Sequence, residues 1–249
     1  MSIVAHAYSF PKDEQHPEEW EDGAGYLVGA ASGWFAVADG ASSGYRVKEW
    51  ARQLVGGFVE ARPVSPKETQ DVLLGQCDLW SEPPEPPPGG PEPEWWEVVA
   101  PDRLESAAAF IGVTAHMPAS GSGHFRAFAV GDCCLLHVRG TTLHLSFPLS
   151  APQAFGQAPQ LVYSRREKAP AQAMWIQFCT GELRRGDMLV LGSDKISQCL
   201  LEQSLLSGDE VWQAIRSVDR SSFESLVREL RRQGCLGVDD VTLLRVCVT

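Results

Sequence analysis

Residues 33–44, GWFAVADGASSG, constrain this chain more than any other stretch. Trp34 to Ala38 form a short apolar run with aromatic and β-branched members, the pattern of a buried strand. The run stops at Asp39-Gly40. A carboxylate at the end of a buried strand is costly unless a cation or hydrogen-bond donors meet it. A glycine beside it permits close backbone approach. A helical pattern follows over residues 46–61, with Trp50, Ala51, Leu54, Val55, Phe58 and Val59 at spacings of three and four. Taken alone, the stretch also reads as a strand–turn–helix corner with Asp39 as a turn or cap residue.

The event recurs. Residues 187–191 read as a buried strand that ends at Gly192-Ser193-Asp194, and a helical stretch over 196–206 follows. Asp239-Asp240 stand just before a terminal strand, 241–248. Glu21-Asp22 precede a strand over 26–31, and Ala31-Ser32-Gly33 turn it back into the strand that carries Asp39. Such a hairpin places Glu21-Asp22 and Asp39 at one sheet end. If these carboxylates converge within about 5 Å, each like-charge pair costs roughly 3 kcal/mol at an effective dielectric near 20. They stay charged only if cations neutralise them, and all-oxygen donors favour hard ions, Mg²⁺ or Mn²⁺. The six histidines (His6, His16, His116, His124, His137 and His144) form no ligand spacing with acidic neighbours. Separate turn or capping aspartates are the alternative that spacing alone leaves open.

The remaining elements predict an antiparallel scaffold. Residues 3–9 read as a strand, 11–19 as a polar loop, and 66–80 as a helix whose start, SPKET, suits an N-terminus. Residues 81–101 are proline-rich and acidic and predict a surface loop. Trp95 and Trp96 either pin that loop to the domain or meet a partner. Strands over 106–115, 125–130, 133–138 and 141–147 are joined too tightly for crossovers, so they form a meander. Residues 148–173 look irregular, 175–179 strand-like, and 210–218 and 222–233 helical. The expected organisation is a single domain over 1–249, with the Pro-rich loop at 81–101.

Composition narrows the class. The net charge of −11 argues against a nucleic-acid backbone as the main partner. No apolar run approaches the roughly 20 residues that span a bilayer. The N-terminus lacks a basic start and apolar core of a secretory signal. The expectation is a cytoplasmic protein with no membrane and no nucleic-acid partner. Seven cysteines, an odd number without C-x-x-C spacing, fit reduced thiols. Cys133 and Cys134 would face opposite ways in a strand. Arg228, Arg231 and Arg232 form a basic helical face, expected in solvent or else against an acidic partner.

The ordered set Glu21-Asp22, Val37-Ala38-Asp39-Gly40, Gly131-Asp132, Gly192-Ser193-Asp194 and Asp239-Asp240-Val241-Thr242 resembles the metal-dependent protein phosphatases of the 2C type, from about Trp20 to the C-terminus. The bacterial serine/threonine branch is nearest. The resemblance implies an α+β fold, a four-layer α-β-β-α sandwich of two antiparallel sheets flanked by helices. It implies two Mn²⁺ or Mg²⁺ ions, with Asp39 bridging them, Asp194 and Asp239 completing one ion's ligands, and the Gly40 carbonyl serving the other. Glu21 and Asp22 would act through metal-bound waters. Asp132 would hold the core near the site. The implied reaction is hydrolysis of phosphoserine or phosphothreonine by a hydroxide bridging the two ions, with Asp39 and Asp22 as the catalytic pair. The implied partners are a phosphoprotein substrate and an opposing serine/threonine kinase.

Departures from the family pattern favour one alternative, a catalytically weak or inactive pseudophosphatase that binds a phosphoprotein or a kinase. The phosphate-gripping arginine four residues before the acidic pair is replaced by Pro17. Ala41 stands where some relatives carry histidine, Gln198 where a third-metal aspartate would be, and Asp240 where asparagine is usual. Arg46, Arg165 or Arg166 are candidate replacements for the grip. Two other motifs compete. Gly40-Ala41-Ser42-Ser43-Gly44 matches a serine-hydrolase nucleophile elbow with Ser42 as nucleophile, but no histidine follows His144. Cys179 and Arg185 match the C-x5-R frame of cysteine phosphatases, but that loop must lead into a helix, and here Gly186-Asp187 lead into a strand.

Overall fold

A computed structural model describes residues 2–42, 44–80, 105–119, 121–156, 159–165 and 176–249. The expected Pro-rich loop with Trp95 and Trp96, and also Arg166 and Trp175, lie outside the described residues.

Two antiparallel sheets form the centre. In the first, the spatial order is β1 (Ile3–Phe10), β11 (Val241–Val248), β10 (Asp187–Gly192), β6 (Cys134–Arg139) and β7 (Thr142–Phe147). In the second it is β2 (Gly23–Val28), β3 (Ser32–Gly40), β4 (Ala107–His116), β5 (Gly123–Val130) and β9 (Gln177–Leu183), with the short β8 (Val162–Tyr163) paired to the start of β4. Period-two alternation sends successive side chains to different layers. Leu189, Leu191, Leu244 and Val246 face Phe35, Val37, Ile111, Val113 and Phe125 between the sheets. Met188, Val190 and Leu243 face outward. Cys133 joins the inter-sheet core and Cys134 the outer one, on opposite faces as expected, and all seven cysteines are free.

Helices cover both outer faces. α1 (Val47–Ala61) and α2 (Pro66–Leu79) lay Trp50, Leu54, Phe58 and Leu73 on Phe110 and Phe128 of the second sheet. α3 (Asp194–Ser207), α4 (Asp209–Ser217) and α5 (Arg220–Arg232) lay Ile196, Leu200, Trp212, Phe223 and Val227 on the first. Burying each such side chain contributes about 1.5–3 kcal/mol. The caps are local: Ser65 accepts from the Glu68 amide before Pro66, and Asp219 with Ser222 closes a capping box on α5. The result is the expected four-layer α-β-β-α sandwich.

The structure moves some boundaries. β2 begins at Gly23, not at Tyr26, and the turn falls at residues 29–32, where the Gly29 amide donates to the Ser32 carbonyl at 2.8 Å. Its glycines serve the helix above. A Cβ on Gly23 would stand 3.0 Å from the Ala51 backbone, and one on Gly25 would stand 2.7 Å from Val55 Cγ1. The stretch expected to be irregular contains β8, and β9 runs on to Leu183. α3 starts at Asp194 itself.

Candidate metal centre

The strand ends carrying the acidic motifs meet at one edge of the sandwich. Gly23 pairs with Ala38, so Asp22 lies beside Asp39, as the hairpin reading requires. From the other sheet, β10 ends at Gly192 and is locked to β11: the Ser193 amide donates to the Thr242 carbonyl at 3.0 Å, and the Thr242 amide donates to Ser193 Oγ at 3.1 Å. This places the first turn of α3 against β3, where the Asp194 amide donates to Asp39 Oδ2 at 3.4 Å.

The electrostatics are those of an under-compensated acidic cluster. Asp22 is 1% exposed, and among the described residues neither of its carboxylate oxygens has a hydrogen-bond partner. Burial, chiefly, pushes its carboxyl up to about 7, with Asp240 and Asp239 adding and the neighbouring Thr242 hydroxyl opposing. Asp39 is partly open to solvent, yet it is raised well above the ordinary range by desolvation and then by Asp22, Asp194, Asp132 and Asp239. Asp132 is pushed up to about 6 by burial and by Asp194. Asp239 is raised by the same two causes. Asp132 therefore stands in the same electrostatic field as Asp39 and Asp194.

Glu21 and Asp240 do different work. Asp240 is buried and accepts two backbone hydrogen bonds, from the Lys12 amide at 2.6 Å to Oδ1 and from the Glu21 amide at 2.8 Å to Oδ2. It thereby fixes the chain just before Asp22. The Glu21 side chain accepts from Lys12 Nζ at 2.8 Å and from Ser42 Oγ at 2.6 Å. Gly40 is required by space: a Cβ there would stand 2.8 Å from the Glu21 carbonyl oxygen and 3.2 Å from Val47 Cβ.

Sequence reasoning missed several contributors. Arg231 does not sit in solvent: its guanidinium donates to the Asp239 carbonyl at 2.5 Å and to the Pro11 carbonyl at 3.1 Å, tying together the two loops that carry Asp239 and Lys12. Lys195 pairs with Asp194, within the field of Asp239 and Asp39. Its signal was available, because a cation in the first turn of a helix opposes the macrodipole. Arg46 is engaged with the Trp80 ring, 5.1 Å from its centroid, and with Glu49 at 4.0 Å.

The donor set suits hard divalent cations: oxygen atoms only, several like charges, and a buried carboxylate with both oxygens unpaired. Among the described residues, no group of three or more His, Cys, Asp or Glu side chains is gathered as a ready metal set. Two lysine ammoniums stand among these carboxylates instead.

The competing motifs lose their geometry. Ser42 donates to Glu21 rather than to a histidine. Cys179 lies within β9 opposite Ala127, and burial pushes its thiol up to about 11, so it is no thiolate in a phosphate cradle.

No protein-family model matches the sequence, and no curated protein matches it significantly. Solved structures do match. The photosystem II phosphatase PBCP is 19% identical over 99% of each chain, with a TM-score of 0.59. The catalytic domain of the serine/threonine protein phosphatase PstP, in complex with two manganese ions, is 13% identical over 100% of this chain and 99% of its own, with a TM-score of 0.60. RsbX in complex with magnesium is 12% identical over 100% of this chain and 96% of its own, with a TM-score of 0.58. This chain has the serine/threonine phosphatase fold. Its acidic strand ends thus lie on a phosphatase scaffold along nearly its whole length.

Proposed function

We propose that the chain is a metal-dependent phosphatase, a hydrolase that removes phosphate from phosphoserine and phosphothreonine in proteins. The observation that carries this reading is the meeting of the strand ends that bear Asp22, Asp39, Asp132, Asp194 and Asp239 at one edge of the sandwich, where Asp22 is buried with neither carboxylate oxygen hydrogen-bonded among the described residues. The fold shared with PstP and RsbX, whose structures hold manganese and magnesium, supports it.

Asp39, Asp194, Asp239 and the Gly40 carbonyl would hold two Mn²⁺ or Mg²⁺ ions, with Glu21 and Asp22 assisting. When bound, such ions acidify a water and neutralise phosphoryl oxygens. The chain's own part is to hold that constellation. Asp39 stands between Asp22 of its own sheet and the Asp194 amide of the other. Asp240 and Arg231 fix the loops on either side. The proposed setting is a single catalytic domain in the cytoplasm, opposing a serine/threonine kinase. No helix among the described residues is long and apolar enough to cross a membrane.

A second reading, a binding module with weak or no turnover, is favoured by the two lysines already lodged among the carboxylates. Hydrolysis of p-nitrophenyl phosphate and of a phosphothreonine peptide, with Mn²⁺, with chelator and with Asp39→Asn, separates the two. Metal-dependent turnover that falls to background in the variant is expected. Mn²⁺ binding without turnover on either substrate would instead establish the binding module.

A further inference from the structure

Lys195 is the second residue of α3, directly after Asp194. Its ammonium pairs with Asp194 Oδ2, while Asp194 Oδ1 accepts the Lys195 amide, so both oxygens of that carboxylate are engaged by one residue. Burial works against the charge. The pairing with Asp194, with Asp239 and Asp39 nearby, favours the ammonium where it stands. A cation in the first turn of a helix is otherwise disfavoured by the helix dipole. Here the surrounding carboxylates reverse that preference. The Lys195 side chain is 31% exposed, so the ammonium can withdraw to solvent without unfolding the centre. Among the described residues, neither Asp22 nor Asp39, on the β2–β3 side, is paired with a lysine or arginine side chain. Lys12 is spent on Glu21, and among the described residues neither Asp22 oxygen has a hydrogen-bond partner.

We propose that Lys195 is a tethered counter-cation for the Asp194–Asp239 half of the centre, so that a divalent ion enters the Asp22–Asp39 half directly but the other half only by displacing this ammonium. The inference rests on the metal-centre reading above. It makes the two halves unequal: the first ion binds a preformed, under-compensated pocket, and the second competes with a cation held at high effective concentration by its own backbone. It also fits the absence, among the described residues, of a gathered ligand set, since Asp194 is paired with its own neighbour.

Mn²⁺ titration followed by the electron paramagnetic resonance of the free ion, with the full chain, tests this. The wild type should bind one ion and a second at least tenfold more weakly. Lys195→Met, which keeps the length of the side chain and removes the charge, should tighten the second ion tenfold or more and leave the first within threefold. Its metal-free melting temperature should fall, and the rise in melting temperature on adding Mn²⁺ should exceed that of the wild type. Lys195→Arg keeps the charge and should behave as the wild type, which also covers the case that Lys195→Met fails to fold. Two equal sites in the wild type, or the same tightening in the arginine and methionine variants, would overturn the role of Lys195 while leaving the metal centre in place. No Mn²⁺ binding by any of the three proteins would overturn the metal centre itself, and this inference with it.

Discussion

The backbone amide of Asp194 donates to Asp39 Oδ2 across 3.4 Å, joining residues 155 positions apart and from different sheets. That bond marks where the two halves of the sandwich share one site. Asp39 ends a strand of the second sheet, while Asp194 opens the helix that follows β10 of the first. Any slip of one sheet on the other separates the two carboxylates, so the core between the sheets is also what aligns the proposed centre.

Asp240 should prove to be a positioning residue. Its two oxygens hold the Lys12 and Glu21 amides at 2.6 and 2.8 Å. Asp240→Ala leaves those donors unpaired and frees the segment before Asp22, which should cost about 1–3 kcal/mol. Mn²⁺ affinity should fall about 10–100-fold, as when a partner behind a metal ligand is removed. Urea unfolding and a Mn²⁺ titration check both. Unchanged affinity in a folded variant would remove Asp240 from the site.

Gly40→Ala is expected to be disproportionately harmful for a single methyl group. The new carbon would stand 2.8 Å from the Glu21 carbonyl oxygen and 3.2 Å from Val47 Cβ, so either the strand end or α1 must move. Overpacking of this kind costs about 1–3 kcal/mol. The urea midpoint should drop and Mn²⁺-dependent turnover should fall at least tenfold. A variant indistinguishable from wild type in both would show that the strand end is free to adjust.

Away from the centre, Asp187 organises an ion cluster whose stabilisation should be acid-sensitive. It accepts from His137 Nε2 at 2.9 Å, from Arg139 at 3.0 and 3.1 Å, and from the Arg184 amide at 2.9 Å. Burial raises its pKa, but Arg139, His137 and the Arg184 amide outweigh it and hold the carboxyl below the ordinary range. Its stabilisation is therefore present above the unfolded value of 3.8 and lost as pH falls through the folded one. Burial also lowers His137, against the pull of Asp187, with Arg139 and His144 adding to the lowering. Its unfolded form takes up a proton first, so its contribution to stability begins to fall below the ordinary histidine value of 6.5. Asp187→Ala should lose about 3 kcal/mol or more at pH 7, and the gap from wild type should narrow only in strong acid. Urea midpoints at pH 7, 5 and 3 give the test, and an unchanged midpoint at pH 7 would refute it.

Cys179→Ser should keep full Mn²⁺-dependent turnover. The thiol lies mid-strand on β9 with its pKa pushed up to about 11, and serine differs there by little more than one atom. Loss of turnover in a folded variant would revive a cysteine-based reaction.

The acidic motifs were legible because each breaks a local rule. Asp39, Asp194 and Asp239 interrupt or flank buried apolar strands, where a lone carboxylate is penalised, and the hairpin that brings Asp22 to Asp39 follows from adjacent sequence. The start of β2 was not legible. Gly23 and Gly25 weaken a strand reading, and their reason, the close passage of Ala51 and Val55, exists only in three dimensions. The same holds for Arg231, which reads as one of three solvated arginines until its helix packs beside the loops at Pro11 and Asp239. Lys12 sits in a polar loop with nothing in its neighbours to mark it, and only the fold brings Glu21 to its ammonium.

A crystal soaked in Mn²⁺ and measured at an anomalous wavelength tests the central claim most directly. The account predicts a peak in contact with Asp39 on the side of Asp22, and a second between Asp39, Asp194 and Asp239 accompanied by withdrawal of the Lys195 ammonium from Asp194. A well-ordered crystal with saturating Mn²⁺ and no peak at Asp39 would contradict it.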